Sequence, residues 1–410
     1  MEYGLIGSPL GHSLSPALHA RLGGYRYELC ELAPDALGDV LARRDFRGIN
    51  VTLPYKQAVL PYLDELDPQA AEIGAVNTIV NRGGRLVGYN TDFGGLTALL
   101  ARAGISLAGK KVLILGTGGT SKTAFAAMKA AGAREIVFVS RAAKPGAVSY
   151  ADAATNHRDA QAIVNTTPVG MTPDIDGAPI DLAPFSRLEA LIDVVYTPLR
   201  TRLMQQAEAL GIPAVSGLFM LVRQAALSAA LFTGAEIPES EIEAAFRELQ
   251  KRQTNLVLIG MPGSGKTTVG RLLADQLGRE FLDCDEALVR QTGKSIPAIF
   301  AQDGEAEFRK LESELIRQLA LKQGCVIATG GGAVLSAENV RRLKQNGRLF
   351  LLYRPLSDLQ PSPDRPLAPD AKALARLYEE RKLLYLACAD EVIRADGSAA
   401  DAAADIEKRF

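Results

Sequence analysis

The stretch Leu256–Thr268, LVLIGMPGSGKTT, carries the strongest structural signal in this chain. The apolar run Asn255–Ile259 ends at Gly260 and is too short for a helix, so it predicts a buried strand. The chain then continues as GMPGSGKT, which has the P-loop spacing G-x-x-x-x-G-K-T. A helix is predicted over Val269–Leu277, so the backbone N–H groups of the loop would meet phosphate oxygens at a helix N-terminus.

The residues of this loop predict a site for a nucleoside triphosphate and Mg²⁺. Lys266 is expected to bridge the β- and γ-phosphates, and the Thr267 hydroxyl is expected to bind Mg²⁺. The expected nucleotide contacts are consecutive along the loop: Gly263, Ser264, Gly265, Lys266, Thr267 and Thr268. The alternative is a glycine turn with a chance Lys-Thr pair, and it accounts less well for a strand, the full spacing and a helix in register.

Length and composition are those of an ordinary globular protein with two or three domains. The chain has 410 residues, of which 47% are apolar and 23% are charged. Its net charge of −1 gives no electrostatic reason to expect nucleic acid or an anionic membrane as a partner. The cysteines form no Cys-x-x-Cys pair, and no apolar run reaches membrane length. We therefore expect a cytoplasmic protein, monomeric or homodimeric, that acts on small molecules.

Two carboxylates follow the next predicted strand, Glu280–Leu282. Along an extended backbone Asp283 and Asp285 would face the same way, so that one could hold Mg²⁺ and the other a hydroxylated acceptor. The alternative is that Asp285 caps the helix Glu286–Gln291. Further along, Gly330-Gly331-Gly332 forms a second glycine patch, at which a ligand can approach the backbone closely.

A βαβ unit is predicted in the middle of the chain. Strands are expected over Lys110–Leu115 and Glu135–Val139, with a glycine-rich loop and a helix between them. The loop residues expected to bind a dinucleotide are Gly116, Gly118, Gly119, Thr120 and Ser121. After the second strand the chain has Ser140-Arg141 and then Lys144, where an NAD site would place Asp or Glu, so the predicted cofactor is NADP. A plain strand-to-helix turn is the alternative.

Residues 1–100 mix short strands and helices and predict another α/β unit. Polar residues cluster just after the predicted strand ends, where open α/β sheets bind ligands. They are Ser13, Ser15, Thr52, Lys56, Asn77 and the run Asn90-Thr91-Asp92. Asn81-Arg82-Gly83-Gly84 predicts a hairpin turn, and Ser15 is the predicted cap of the helix Pro16–Leu22. A further helix is predicted to start after Asp92 and to end near Gly104. The predominantly apolar helix Gly217–Phe232 contains Gln224, whose side chain needs hydrogen-bond partners if it is buried.

Residues 1–249 resemble the shikimate dehydrogenase family. The matching motifs are GSPLGHSLSP (Gly7–Pro16), INVTLPYK (Ile49–Lys56), GAVNT (Gly74–Thr78), GYNTDFGG (Gly88–Gly95), the GTGGTS loop, NTTPVGM (Asn165–Met171) and LVRQAALSAALFTG (Leu221–Gly234). The resemblance implies a two-lobed fold with a Rossmann NADP-binding lobe, and NADPH-dependent reduction of 3-dehydroshikimate. It implies that Lys56 donates a proton to the substrate carbonyl, with Asp92 as its partner. The implied substrate ligands are Ser13, Ser15, Thr52, Asn77, Tyr196 and Gln224, and Gly217 belongs to the implied cofactor site.

Residues 255–410 resemble the shikimate kinase family. The matching motifs are GMPGSGKTT (Gly260–Thr268), FLDCDE (Phe281–Glu286), GEAEFRKLE (Gly304–Glu312), ATGGGAV (Ala328–Val334), DRPL (Asp364–Leu367) and RKLLY (Arg381–Tyr385). The resemblance implies a P-loop α/β/α sandwich with a lid, in which the shikimate 3-hydroxyl attacks the γ-phosphate of ATP. It implies catalytic roles for Lys266, Asp285 and Arg365, and Mg²⁺ ligation by Thr267 and Asp283. The implied substrate ligands are Asp285, Arg309, Gly331, Gly332 and Arg381, with Glu312 steadying an arginine.

Together the two resemblances imply a bifunctional enzyme that catalyses consecutive steps. The expected boundaries are a substrate lobe at 1–101 completed by helices at 217–249, a Rossmann lobe at 102–216, a linker at 250–254 and a kinase domain at 255–410. The alternatives are a quinate/shikimate dehydrogenase that tolerates NAD, and a kinase-like module that senses ligand without turnover. Where the lid of this kinase family often has a second arginine, this chain has Asp358, and the sequence alone does not assign that role to Arg354.

Overall fold

The computed structural model describes residues 1–11, 13–362 and 365–410. Two residues of the quoted motifs, His12 and Asp364, lie outside these described residues. Within the described ranges no helix is both long enough and apolar enough to cross a membrane.

The chain divides into two compact units. One comprises Met1–Tyr196 and Thr201–Leu249, and the other comprises Thr197–Arg200 and Gln250–Phe410. Both units are built from strands that alternate with helices. The predicted α/β fold class is therefore confirmed.

A six-stranded mixed sheet forms the first part of the first unit. Its strands are β1 (Tyr3–Gly7), β2 (Glu28–Glu31), β3 (Gly48–Val51), β4 (Glu65–Leu66), β5 (Thr78–Arg82) and β6 (Arg85–Tyr89). They lie in the order β2-β1-β3-β5-β6-β4, and β5 pairs antiparallel with β6 as the hairpin signal predicts. The accompanying helices are α1 (Ser15–Gly23), α2 (Leu37–Arg43), α3 (Pro68–Ile73) and α4 (Thr91–Arg102).

Two helix starts differ from the prediction. The helix α1 begins at Ser15, with Leu14 at the N-cap position and no side-chain cap. The predicted Ser15 cap is wrong because Ser15 lies inside the first turn, and the Ser13 hydroxyl accepts its backbone N–H at 3.3 Å. The helix expected after Asp92 begins at Thr91, because the Asn90 side chain caps it by accepting from the Phe93 N–H.

The second sheet of this unit is entirely parallel. Its strands are β7 (Lys111–Leu115), β8 (Glu135–Val139), β9 (Ala147–Val148), β10 (Ala162–Asn165), β11 (Ala190–Asp193) and β12 (Ala214–Ser216). They lie in the order β12-β11-β10-β7-β8-β9, which is the Rossmann strand order. The helices are α5 (Gly119–Ala130), α6 (Tyr150–Asn156) and α7 (Arg202–Ala209). The strand order reverses between β7 and β10, so the predicted dinucleotide loop lies at the switch point where such sheets bind ligands.

Two further helices, α8 (Leu218–Thr233) and α9 (Glu239–Gln253), follow the parallel sheet. The helix α8 packs against α4 and α1, and its Phe232 joins an apolar cluster with Tyr3 of β1. The helix α9 continues to Gln253, with acidic residues in its first turn and basic residues in its last turn. This arrangement complements the helix dipole. The linker predicted at 250–254 is therefore mostly helix, and only Thr254 remains between α9 and the next strand.

The second unit contains a five-stranded parallel sheet. Its strands are β13 (Asn255–Ile259), β14 (Phe281–Asp283), β15 (Val326–Ala328), β16 (Gly347–Tyr353) and β17 (Glu391–Arg394), in the order β14-β15-β13-β16-β17. The helices are α10 (Lys266–Leu277), α11 (Cys284–Thr292), α12 (Ile296–Gln302), α13 (Gly304–Leu319), α14 (Ala337–Asn346), α15 (Ala371–Cys388) and α16 (Ala399–Arg409). Alternate side chains of β13 enter two separate apolar layers, so the strand is buried on both faces as predicted.

Candidate active sites

Lys56 and Asp92 form a close ion pair in the first unit. Lys56 lies in the turn after β3, and Asp92 lies in the first turn of α4. Lys56 Nζ donates to Asp92 Oδ2 at 2.6 Å, and the two side chains are only 13% and 8% exposed. A Cβ on Gly119 would lie 3.2 Å from Lys56 Cβ. The predicted dinucleotide loop therefore approaches the lysine so closely that glycine is the residue that fits there.

Asn77 and Gln224 belong to one hydrogen-bonded group beside this pair. Asn77 Nδ2 donates to Thr91 Oγ1 at 2.9 Å and to Gln224 Oε1 at 3.4 Å. Asn77 Oδ1 accepts the Thr91 N–H at 2.7 Å. Gln224 is half-buried rather than fully buried, and its Nε2 donates to the Leu221 carbonyl at 2.8 Å. Because Thr91 directly precedes Asp92 in the chain, its bonds to Asn77 connect the side-chain amides of Asn77 and Gln224 to the Lys56–Asp92 ion pair.

A buried polar cluster behind Asn77 was not predicted as part of the site. Ser228 Oγ accepts from Asn50 Nδ2 at 2.9 Å and lies 2.9 Å from Thr78 Oγ1 and 3.0 Å from Thr91 Oγ1. All four side chains are buried. The only sequence signal for Ser228 was a hydroxyl in an otherwise apolar helix.

Of the remaining predicted substrate ligands, Tyr196 interacts electrostatically with Asp92 of the ion pair. Tyr196 is half-buried beyond β11; burial raises the pKa of its phenol, and the Asp92 carboxylate raises it further. Ser13 and Ser15 contact each other, and Thr52 follows β3. Among the described residues, no hydrogen bond joins Ser13, Ser15 or Thr52 to Lys56 or Asn77.

Asp193, another residue that the sequence did not single out, is fully buried at the end of β11. Its carboxylate accepts from Asn165 Nδ2 at 2.9 Å, from Thr201 Oγ1 at 2.6 Å and from the Val195 N–H at 3.1 Å. Burial raises the pKa of Asp193 to about 6, against the lowering effect of these donors. The carboxylate thus fixes the chain on either side of Tyr196.

The predicted dinucleotide loop lies at the start of α5. The Ser121 hydroxyl donates to the Gly118 carbonyl at 2.6 Å, and the half-buried Thr120 lies in the first turn. Lys144 Nζ donates to Thr117 Oγ1 at 2.8 Å, which brings a cation to the loop.

The other predicted cofactor residues have different surroundings. Ser140 is buried, and its N–H donates to the Val148 carbonyl at 2.9 Å, whereas Arg141 is exposed. Gly116 has φ of +108°, a backbone conformation that favours glycine. Gly217 occupies the N-cap position of α8 and donates to the Val195 carbonyl.

A cavity of about 560 Å³ opens over the P-loop in the second unit. Lys266 Nζ donates to the Gly260 and Met261 carbonyls at 2.8 and 2.9 Å. Removal from bulk water lowers the pKa of Lys266 to about 8. Thr267 and Thr268 line the same cavity with Gly263 and Gly265. Ser264 is buried beneath the loop, and its hydroxyl lacks a partner among the described residues.

Asp283 is the N-cap of α11, which corrects the prediction for the two carboxylates. Its Oδ1 accepts the backbone N–H groups of Asp285 and Glu286 at 3.0 and 3.2 Å. The chain therefore becomes helical at Cys284, so the alternation expected along an extended backbone does not apply, and the alternative of an Asp285 cap is also wrong. Both carboxylates nevertheless line the cavity. Desolvation raises the pKa of Asp285, and the Asp283 charge adds to that effect.

Thr267 and Asp283 have the donor chemistry that Mg²⁺ requires. Thr267 Oγ1 lies 2.7 Å from Asp283 Oδ2, so a hydroxyl and a carboxylate converge at the start of α10. No group of three or more His, Cys, Asp and Glu side chains suited to a metal occurs in the part of the chain described. This pair fits an ion that takes its remaining ligands from water and phosphate, as Mg²⁺ usually does.

The predicted acceptor residues line the other side of the cavity. Arg309 Nη1 donates to the buried Glu312 at 2.8 Å, so the predicted support of an arginine by Glu312 has the required contact. Arg381 Nη1 donates to the Gly331 carbonyl at 2.9 Å, and the Tyr385 hydroxyl donates to the same oxygen. Gly332 and Arg365 also line the cavity. Tyr385 was quoted only as a motif residue, so its contact was missed.

Comparison with known proteins bears on both units. A model described as "Shikimate dehydrogenase substrate binding domain" matches residues 5–79, and one described as "Shikimate kinase" matches residues 262–409. A shikimate dehydrogenase (NADP(+)) of Halothermothrix orenii is 40% identical over 260 residues, covering 56% of this chain and 90% of that protein. The chain belongs to the shikimate dehydrogenase family. Residues 262–409 of the chain form a shikimate kinase domain.

Solved structures agree with this assignment. A shikimate 5-dehydrogenase from Thermus thermophilus, solved with NADP(H) and shikimate, is 37% identical with a TM-score of 0.55. The match covers 60% of this chain and 99% of that one. Another similar chain is a chorismate mutase/shikimate 5-dehydrogenase fusion from Clostridium acetobutylicum, at 30% identity and a TM-score of 0.58, covering 61% of this chain and 97% of that one. The resemblance to shikimate dehydrogenases is thus confirmed, and the shikimate kinase model at residues 262–409 confirms the second resemblance.

Proposed function

We propose that the first unit reduces 3-dehydroshikimate to shikimate with NADPH. The observation that carries this proposal is the buried Lys56–Asp92 pair at 2.6 Å, against which the dinucleotide loop packs. As hydride reaches the ring carbonyl, Lys56 would donate a proton to its oxygen, and the carboxylate of Asp92 would hold the ammonium in position. Asn77, Gln224 and Tyr196 would bind ring substituents from the side of α8 and β11.

The proposed cofactor is NADP rather than NAD. The cation of Lys144 contacts the dinucleotide loop through Thr117, and Arg141 lies nearby in sequence beyond β8. Cations at this point suit the 2′-phosphate that distinguishes NADP. The printed names of the relatives, which are NADP(+) enzymes, support the same choice.

We propose that the second unit phosphorylates shikimate with ATP. Lys266 would contact the β- and γ-phosphates, Asp285 would accept a hydrogen bond from the attacking hydroxyl, and Arg365 would approach the phosphates. Arg309 and Arg381 would hold the carboxylate of shikimate, with Gly331 and Gly332 at its edge. Thr267 and Asp283 would hold Mg²⁺, which neutralises phosphate charge when it is bound.

The domain boundaries and cellular context are also proposals. We infer a substrate lobe at 1–101 with helices at 217–249, a Rossmann lobe at 102–216, and a kinase domain that begins at 255. The location inferred is the cytoplasm, and the form inferred is a monomer or homodimer without nucleic-acid or membrane partners.

A coupled assay tests the bifunctional proposal. The purified chain is supplied with 3-dehydroshikimate, NADPH, ATP and Mg²⁺, and NADPH loss and ADP release are recorded separately. We expect Lys56→Ala to abolish the first signal alone and Lys266→Ala to abolish the second alone. If the unmodified chain releases no ADP even when shikimate is supplied, the alternative of a ligand-sensing module replaces the kinase proposal.

A further inference from the structure

Arg354 lines the P-loop cavity, but the reaction proposed above gives it no task. It follows β16 directly, and its side chain is half-buried. Its Nε donates to the carbonyl of Ala395, at the end of β17, at 2.8 Å. In the described ranges, neither of its two terminal guanidinium nitrogens takes part in a hydrogen bond or an ion pair. The base of the guanidinium is therefore fixed, while its outer edge has no partner among the residues that the structure describes.

The other cations of the cavity have protein partners. Arg309 is paired with Glu312, Arg381 with the Gly331 carbonyl and Arg365 with the Gln360 carbonyl. Lys266 donates to two carbonyls of its own loop. The cavity walls carry five cationic and three acidic side chains, so positive charge is in excess. A half-buried guanidinium edge without a partner, in a cavity of positive excess, is the arrangement expected of a site for an anion.

The order of the sheet shows which part of a nucleotide would reach Arg354. The P-loop follows β13, and the acceptor residues Asp285, Gly331 and Gly332 follow β14 and β15, on one side of β13. Arg381 belongs to α15 but reaches the same side through its bond to the Gly331 carbonyl. Arg354 follows β16, on the opposite side of β13. If the γ-phosphate faces the acceptor, the rest of the nucleotide must extend toward the ends of β16 and β17.

We propose that Arg354 binds the phosphate chain of ATP on the side away from shikimate. Arg354 would then be a second positively charged side chain at the phosphates, beside Lys266. The bond from Arg354 Nε to the Ala395 carbonyl would hold the guanidinium in place without a movement of the lid. This inference rests on the proposed kinase function, because it assumes that the cavity receives a nucleoside triphosphate.

Nucleotide binding without turnover tests the proposal. Calorimetry with ADP, and with inorganic tripolyphosphate as a probe that has no base, compares the unmodified chain with Arg354→Gln and Arg354→Lys. We expect Arg354→Gln to lower the affinity for ADP and for tripolyphosphate by about 10- to 100-fold, and Arg354→Lys to retain part of both affinities. Arg376→Gln is the matched control, because Arg376 is an exposed arginine of α15 that pairs with Glu380 and lies outside the cavity lining. The KM for shikimate and NADPH consumption are expected to stay unchanged in every variant, and the melting temperature should fall slightly in the Arg354 variants, which lose the Ala395 bond.

Each other outcome overturns a distinct claim. ADP and tripolyphosphate affinities within twofold of the unmodified chain in Arg354→Gln would exclude the contact, with the kinase proposal intact. If Arg354→Gln binds ADP more weakly but tripolyphosphate with unchanged affinity, Arg354 contacts the nucleoside rather than the phosphates, which also contradicts the proposal. If the unmodified chain binds both ligands but does not phosphorylate shikimate, the kinase function fails while the Arg354 contact is still measured. If it binds neither ligand, both proposals fail.

Discussion

The two lysines at the proposed reacting centres have opposite surroundings. Lys56 is neutralised by the Asp92 carboxylate at 2.6 Å, whereas Lys266 contacts only carbonyl oxygens of its own loop, at 2.8 and 2.9 Å. In the described residues no carboxylate lies within ion-pair distance of Lys266. The dehydrogenase pair is therefore complete before substrate binds, which suits an uncharged reacting carbonyl. The charge of the kinase lysine is left for an anionic ligand to pair with, which suits the transfer of a phosphoryl group.

Breaking the preformed pair is expected to have the largest effect. Asp92→Asn keeps the size of the side chain but removes the charge that holds Lys56. Because general acid catalysis contributes about 10²- to 10⁴-fold, we expect the kcat of NADPH-dependent reduction to fall by about 100-fold or more. ADP release by the same sample with added shikimate serves as the control. A kcat within a factor of two of the unmodified chain would show that the pair is structural.

Substitutions of Asp283 can separate two effects of its carboxylate in the kinase domain: its charge at the proposed Mg²⁺ site and its cap on α11. Asn is as good an N-cap as Asp, so Asp283→Asn should keep the bonds from Asp285 and Glu286 while weakening the Mg²⁺ site. We expect the kinase kcat/KM at low Mg²⁺ to fall by about 10- to 100-fold, with an unchanged melting temperature. Asp283→Ala should lose the same activity and, in addition, about 1 kcal/mol of stability from the cap. Equal melting temperatures for the two variants would contradict the capping argument.

The charge on Lys266 should be visible in the pH dependence of nucleotide binding. With a pKa of about 8, the lysine is charged below that pH and becomes neutral above it in the free enzyme. Phosphate binds the charged form, so we expect the KM for ATP to rise by up to about tenfold for each pH unit above 8. Initial rates between pH 6.5 and 9.5 measure this, and tripolyphosphate inhibition should weaken in parallel. A KM that is flat across that range would mean that Lys266 stays charged throughout.

Sequence reasoning was accurate where local pattern and chemistry agree. The P-loop strand and the βαβ unit needed only neighbouring residues, and their three strands formed within one residue of the predicted limits, whereas α10 begins at Lys266 and not at the predicted Val269. The carboxylate prediction failed because it assumed extended backbone through Asp285. Asp283 instead accepts two N–H groups and starts a helix one residue after the strand.

Other site residues could not be predicted because they meet through long-range pairing. Asn165 and Asp193 are aligned by the register of β10 with β11, and Thr201 then returns to the same carboxylate. Nothing in the spacing of these three residues indicates that register. The end of α9 was also predicted wrongly. The polar run QKRQ at 250–253 was taken for a linker, but it continues the helix to Gln253.

Ser228 should give the smallest measurable effect, and it tests how far the preformed dehydrogenase site extends into the core. Its hydroxyl lies within 3.0 Å of Asn50, Thr78 and Thr91 side chains, and Thr91 in turn orients Asn77. Ser228→Ala leaves one of these buried groups short of a partner, at a cost of about 1–2 kcal/mol. Because Thr91 and Asn77 would be held less firmly, we expect the KM for 3-dehydroshikimate in NADPH-dependent reduction to rise by about three- to tenfold, with a smaller change in kcat.

Thr97→Ala is the matched control for Ser228→Ala. Its hydroxyl donates to the Phe93 carbonyl on the exposed side of α4, outside the buried cluster. A KM raised in Ser228→Ala but not in Thr97→Ala, which removes an exposed hydroxyl and should leave stability nearly unchanged, would show that the buried cluster positions the amide. If the KM stays unchanged while stability falls, the cluster supports the fold alone. In that case the preformed part of the site would end at Asn77 and Thr91, and the contrast with the kinase lysine would rest on the Lys56–Asp92 pair by itself.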